Sequence, residues 1–274
     1  MVKESSFEFE DVLGFKFGYS PLGKPFLFTH IYYVDGLLID TGQSHCKSQI
    51  LSAVADLDVQ QLFITHHHED HSGNIDTIKE QFGCQVYAPE PCVEIMKNPP
   101  PLSFAQKLVW GSRPSNHDLI PIRDQLETTN CRFSLIPIPG HASDMAALYE
   151  PERKWLFSAD LYINSYIGYF LDDESITDQI ASIKKILKLD FKVMFCSHNP
   201  QLQNAREKLE EKLLFLEDFN GKVIELYKGG SNEKEIFKKL KLKELLLPYI
   251  LSGGHLSKRN MIRSVIRDFE KEQE

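Results

Sequence analysis

No run of apolar residues in this chain approaches the roughly 18 that a membrane-spanning helix needs, which excludes a helical membrane anchor. The opening residues, Met1-Val2-Lys3-Glu4-Ser5-Ser6, are polar and charged and lack the apolar core of a secretory signal. Cysteine is scarce. Cys46, Cys84, Cys92, Cys131 and Cys196 are odd in number and irregularly spaced, so they outline no disulfide framework and predict free thiols. Free thiols without a leader predict a cytoplasmic protein. Basic residues do not predominate: 31 Lys and Arg stand against 39 Asp and Glu, a net charge of −8, which disfavours nucleic-acid binding by the surface as a whole. No internal repeat is present. What remains is 274 residues, 42% hydrophobic and 26% charged, the composition of a globular protein with room for one large domain and an appendage.

The chemistry concentrates in Thr65-His66-His67-His68-Glu69-Asp70-His71, which carries four imidazoles and two carboxylates. The apolar run Leu62-Phe63-Ile64 before it reads as a buried strand, and Ser72-Gly73-Asn74 after it as a turn opening a helix. Imidazole is the usual neutral ligand for Zn, Cu, Fe and Ni, and carboxylate adds a harder oxygen donor. Side chains two apart on an extended segment point the same way, so His66 and His68 can converge on one ion. After the chain turns, Asp70 and His71 can reach a second. A solvated, tag-like histidine run is the alternative; this spacing at a strand end favours ligands.

The stretch Thr65-His66-His67-His68-Glu69-Asp70-His71-Ser72-Gly73-Asn74 resembles the H-x-H-x-D-H signature of the metallo-β-lactamase superfamily. The resemblance implies two Zn²⁺ ions, with Fe or Mn as alternatives. His66 and His68 would hold the first ion, Asp70 and His71 the second. The superfamily then requires a His, a bridging Asp and a last His. The chain supplies His141 in Pro139-Gly140-His141, Asp160 in Ser158-Ala159-Asp160, and His198 in Cys196-Ser197-His198. The implied fold is α/β, a four-layer αββα sandwich over residues 1–200, followed by a helical extension over 201–274. Asp40, at the end of the apolar strand Leu37-Leu38-Ile39, is implied to support the metal site from behind.

Along the chain, alternation of Phe7, Phe9, Phe15 and Phe17 with polar or small residues predicts strands. Asp35-Gly36 between apolar runs predicts a two-residue hairpin turn. Helices are expected over 44–57, 74–82, 103–110 and 175–189, and strands over 59–64, 85–88, 132–137, 145–149, 154–158 and 192–196. Residues 89–129, rich in proline, read as irregular apart from the 103–110 helix. In the resembled superfamily an insertion here shapes the substrate pocket; a cover over the sheet is the alternative. In the tail a long helix is expected over 201–226, broken at Asn220-Gly221 or continuing. A second starts behind Ser231 or Asn232, Ser252-Gly253-Gly254 forms a loop, and a last helix spans 257–270. A winged-helix-like arrangement is one form this tail can take.

Other candidates have two readings each. His67, at an x position of the motif, points away from the metals, into the surrounding shell or solvent. His30, His45 and His117 are expected to make ordinary hydrogen bonds. Cys196 is expected to be a packed thiol. Tyr162, Tyr166, Tyr169 and Phe170 follow Asp160 and either donate to an oxyanion or wall an apolar pocket. In several hydrolases of the resembled fold a C-terminal segment leans over the active site, so contact with substrate is one reading of His255 and a tail residue away from it the other. Lys238, Lys239, Lys241 and Lys243 can meet phosphates or form a solvated face; the solvated face is preferred, so nucleic acid is a possible but not a favoured partner.

The activity that the resemblance implies is metal-dependent hydrolysis of a small-molecule ester, thioester or lactone. A metal-bridging hydroxide attacks, and Asp70 orients it and handles its proton. A metal-dependent endoribonuclease or phosphodiesterase is the alternative, suggested by the helical tail. A mononuclear iron persulfide dioxygenase ranks lower, because the Gly-Cys-Gly-Arg of that family is missing after Asp160. The same omission counts against glutathione thioesters. A non-enzymatic scaffold predicts lost ligands, and none is lost.

Overall fold

The computed structural model describes residues 1–21, 23–25, 27–252 and 254–273, with backbone only for 247, 248 and 251. The chain first builds a seven-stranded sheet in sequence order: β1 (Val2–Phe9), β2 (Val12–Tyr19), β3 (Thr29–Val34), β4 (Leu37–Ile39), β5 (Gln61–Phe63), β6 (Gln85–Pro89) and β7 (Ile120–Ile122). Helices α1 (Lys47–Val54), α2 (Glu69–Ser72), α3 (Ile75–Phe82), α4 (Glu90–Lys97) and α5 (Phe104–Val109) lie between its strands. β1 to β4 are antiparallel, and β4, β5, β6 and β7 run parallel. Asp35 and Gly36 close the β3–β4 hairpin with φ of 47° and 82°, as the Asp-Gly signal predicts.

A second, five-stranded sheet follows: β8 (Gln125–Glu127), β9 (Arg132–Pro137), β10 (Ala146–Glu150), β11 (Trp155–Ala159) and β12 (Val193–Cys196), with α6 (Ile176–Ile186) crossing between the last two. The tail contributes α7 (Ala205–Lys228), α8 (Glu233–Lys239), α9 (Leu246–Leu251) and α10 (Lys258–Lys271). Its described residues form helices and two isolated bridges, Gln201 to Met194 and Ser257 to Phe170, so the wing strands of a winged helix are not among them. α7 runs through Asn220-Gly221 unbroken. Asn232, not Ser231, caps α8, in a capping box with Glu235. The loop expected at 252–254 includes Gly253, which lies outside the described residues.

Three apolar clusters define four layers. Ile50, Val54, Ile78, Val93 and Met96 on α1, α3 and α4 pack on Leu62 and Val86 of the first sheet. Tyr32, Phe63, Phe133, Trp155, Phe157 and Phe195 fill the space between the sheets, with Phe157 and Phe195 stacked at 4.8 Å. Leu156 and Met194 on the outer face of the second sheet meet Ile183 of α6, Leu209 and Leu216 of α7, and Ile262 and Val265 of α10. The arrangement is an αββα sandwich with C-terminal helices completing its outer layer. α4, β7 and β8 are the elements missed in the proline-rich stretch; in α4, Pro91 sits in the first turn, where the absent N–H costs no intrahelical bond.

Candidate metal centre

Parallel pairing places the site. Strands β4 and β5 end in register, Ile39 opposite Phe63, and β11 and β12 end together at Ala159 and Cys196. Asp40, the 66–71 loop, Asp160 and His198 all follow these carboxyl ends, so two facing sheets deliver their loops to one rim. His141 comes from the turn after β9. Its neighbour Gly140 has φ of 135°, and a Cβ there would lie 2.5 Å from the Gln179 backbone nitrogen, so glycine is required where this turn meets α6.

The seven expected donors converge. His66, His68 and His141 form one group; Asp70, His71 and His198 form another; Asp160 joins His66 and His71 in a third, each group with its donor atoms within 4.8 Å of one another. His68 Nδ1 lies 3.1 Å from both His66 Nε2 and His141 Nε2. Asp160 Oδ2 lies 3.1 Å from His198 Nε2 and 3.3 Å from His141 Nε2. Asp70 Oδ2 is 3.5 Å from His198 Nε2. The buried atoms His71 Nε2 and Asp160 Oδ1 face each other at 3.4 Å and have no hydrogen-bond partner among the described residues. Such orphaned donor atoms, with imidazole nitrogens and carboxylate oxygens around them, fit divalent transition-metal ions.

The outward ring nitrogens are held. Asp40 Oδ2 accepts from His71 Nδ1 at 2.8 Å, and the carboxylate is fixed by Thr65 N on Oδ1 and Thr65 Oγ1 on Oδ2. His198 Nδ1 donates to the Phe28 carbonyl at 2.7 Å. His141 Nδ1 faces Glu174 Oε2 at 3.4 Å. Each contact turns the lone pair of Nε2 inward, the orientation a ligand needs. Asp40 therefore supports the site from behind, as the resemblance implies. Asp40 and Ala159 both hold left-handed backbones, φ 62° and 46°, uncommon for such residues and placed at the two strand ends that aim the donors.

Electrostatics divide the histidines. Burial, reinforced by neighbouring imidazoles, holds His66 and His68 well below the usual range, so both are neutral. Burial also opposes charge on His71, but Asp70, Asp160 and Asp40 override it and raise this ring well above the usual range. For His141, burial is likewise outweighed, by Glu174 and Asp160, to about 9. Protons thus occupy part of this acidic cluster when no metal does.

The remaining candidates sort clearly. His67 faces away and pairs with Asp144, Nδ1 to Oδ1 at 2.8 Å. Cys196 is a buried thiol donating to the Asn199 carbonyl, and burial pushes it up to about 12. All five cysteines are free and buried. His30 bonds the Ser197 carbonyl and His45 the Lys107 carbonyl, while His117 is exposed. Ser72 donates to the carbonyls of His67 and His68, a turn role. Tyr162 is buried in the core, bonded to Ser165, and does not line the cavity; Tyr166, Tyr169 and Phe170 do. His255 also lines it, as does α5, so the proline-rich insertion shapes the pocket. Lys238, Lys239, Lys241 and Lys243 are exposed and none lines the cavity.

Glu174, Asp144 and Lys212 escape the reading of the sequence. Lys212 had a signal: it falls on the apolar stripe Leu209, Leu216, Phe219, Val223 of α7, a place for a lysine only if it has a buried partner. Its Nζ donates to the Leu161 carbonyl at 2.7 Å, and burial lowers it to about 8. Glu174 had no local signal, because it reads as an acid before a helix start.

Two sheets carrying a His/Asp cluster at the carboxyl ends of their strands define a metal-site sandwich. The chain belongs to the metallo-beta-lactamase superfamily, whose profile matches residues 25–198. It is 25% identical over 216 residues to a hydroxyacylglutathione hydrolase of Bdellovibrio bacteriovorus, covering 72% of this chain and 74% of that protein. A metallo-beta-lactamase from Pontibacter korlensis superposes with a TM-score of 0.62 at 20% identity, over 79% of this chain and all of that one. A metallo-beta-lactamase family protein from Thermus thermophilus gives 0.62 at 19% identity, over 97% and 90%. Among the described residues no helix is long and apolar enough to cross a membrane.

Proposed function

We propose that this protein is a metal-dependent hydrolase of a small-molecule thioester, with two zinc ions at the cluster. The observation that carries this reading is the convergence of seven donors, with Asp160 within 3.4 Å of His71, His141 and His198 and so reaching the groups on either side of it. His66, His68 and His141 would hold one ion, Asp70, His71 and His198 the other, and Asp160 both. Residues 1–200 form the domain that supplies these ligands, and 201–274 an extension that adds Lys212 and His255 to the pocket wall. The hydrolase name of the relatives supports the reaction class.

Bound ions supply Lewis acidity toward a carbonyl oxygen and lower the pKa of water from about 15.7 to about 7. The chain's own residues do the rest. The cavity orients the acyl carbon over the cluster, and Trp110, 6.2 Å from the ring of His198, helps to exclude bulk water. Water adds to the carbonyl carbon and the carbon–sulfur bond breaks, yielding a carboxylic acid and a thiol. Asp70, fixed by Thr29 Oγ1 at 3.2 Å, takes the proton that water loses and returns it to the departing sulfur.

Metal content by mass spectrometry of untagged protein tests this reading. About two zinc per chain, falling towards one with activity at least about 100-fold lower in Asp160→Ala, is the expected result. One iron per chain would instead bring forward the persulfide dioxygenase chemistry.

A further inference from the structure

The cavity beside the cluster has a volume of about 430 Å³ and opens on His68, Asp70, His141, Asp160 and His198. Beyond these donors its walls are mainly apolar: Leu27, Val109, Trp110, Ile163, Ile167 and Phe170 contribute to them. Among the described residues no arginine lines it. Lys212 is its one lysine, only 2% exposed and engaged with the Leu161 carbonyl. The carboxylates on the wall are Glu69, Asp70, Asp160 and Glu174, and His255 is a wall imidazole outside the donor cluster.

Glutathione carries two carboxylates. Away from the metal donors they would meet mainly apolar walls and, among the described residues, no arginine and no lysine free of a partner, a desolvation cost with little compensation. An aliphatic chain meets the opposite conditions. Helix α5, which contributes to the walls, and helix α9, which follows the wall residue Leu245, also carry exposed apolar side chains. Phe104 on α5 is 83% exposed, and Leu246 and Ile250 on α9 are 68% and 69% exposed. Tyr166, a wall residue, is 71% exposed and set edge-on to Phe215 at 5.6 Å. Leu245, next to α9, reaches the cavity itself. Apolar surface that continues from a cavity to its surroundings marks a binding site for an apolar ligand rather than a polar one.

We propose that the cavity is an acyl-chain pocket, and that the substrate is a thioester of a medium or long unbranched fatty acid, its chain lying between α5 and the segment around Leu245 and its carbonyl over the cluster. This assignment rests on the hydrolase reading above. The bond chemistry is the same: water adds, the carbon–sulfur bond breaks, and a fatty acid and a thiol leave.

The test uses the full-length protein with its metal content measured. Thioesters of N-acetylcysteamine, an uncharged leaving thiol, are compared with acyl chains of two to twelve carbons, and with S-lactoylglutathione. kcat/KM is expected to rise about fourfold per methylene until the cavity is filled, as about 0.8 kcal/mol per buried CH₂ requires. Val109→Glu should flatten that rise with metal content unchanged. As a second readout, decanoate but not acetate should quench the fluorescence of Trp110 saturably, with Trp110→Phe as the control for the buried Trp155. A flat or falling chain-length profile with lactoylglutathione preferred overturns the acyl-chain assignment and leaves the hydrolase standing. If metal-loaded protein turns over no thioester, the hydrolase reading fails. The decanoate titration then decides the pocket alone: saturable quenching upholds it, and its absence overturns it.

Discussion

Asp40 combines a strained backbone with a buried carboxylate, and both serve one ring nitrogen. Its carboxylate accepts from His71 Nδ1, Thr65 N and Thr65 Oγ1. Replacing it with Asn keeps the shape but removes the negative charge that favours the Nδ1–H tautomer of His71. On the proposed two-ion reading, a loss of about 10- to 100-fold in affinity for the ion that His71 would hold is expected, the usual effect of removing such a support, and competition with a chromogenic chelator measures it. Unchanged affinity would show that His71 needs no orienting acid. At this scale the sequence was legible where donors are local. His66, His68, Asp70 and His71 lie within six residues, so their spacing alone states a geometry. Glu174 was illegible because its role depends on a fold-long detour: it stands 33 positions from His141 and meets it only when the loop before α6 folds back over the turn after β9.

That loop is held by an element from the far end of the chain. On α10, Ser264 Oγ and Arg267 Nη2 both donate to the Glu174 carbonyl, and Arg267 Nη1 to that of Asp172. Asp268 accepts from the hydroxyls of Ser175 and Thr177. The last helix thus fixes the loop that carries the acid behind His141. Arg267→Ala should loosen this loop and, on the proposed two-ion reading, weaken binding of the ion that His141 would hold by several-fold, less than Glu174→Gln at about 10-fold or more. Isothermal titration of the metal-depleted variants checks the order; equal affinities would disconnect α10 from the site. Such element-to-element contacts do not show in periodicity. The apolar stripes of α6 and α7 predict that each helix buries a face, but not which layer receives it. The short strands β7 and β8 escaped for a related reason. Each has three residues, too few to show a period, and Pro121 in β7 is admissible because that strand is an edge.

For the molecule as a whole, the cluster makes folding and metal binding one equilibrium. Asp40, Asp70 and Asp160 are buried around it, and buried acids are costly without cations. Protons supply the cation when metal is absent. His141, raised to about 9 from an ordinary 6.5, gives the metal-free fold a contribution that is complete below pH 6.5 and is lost as pH rises through about 9. Metal ions replace those protons, so the loaded protein escapes this loss. Ions at 100 times their dissociation constant add about 2.7 kcal/mol per site. For a chain of this size that raises Tm by about 5–10 °C. Calorimetry with and without chelator should therefore show a gap that is small at pH 6 and widens toward pH 9, because the metal-free form weakens while the loaded form holds. A gap independent of pH would mean that the cluster does not exchange protons for metal, and that its acids are balanced by other groups of the fold.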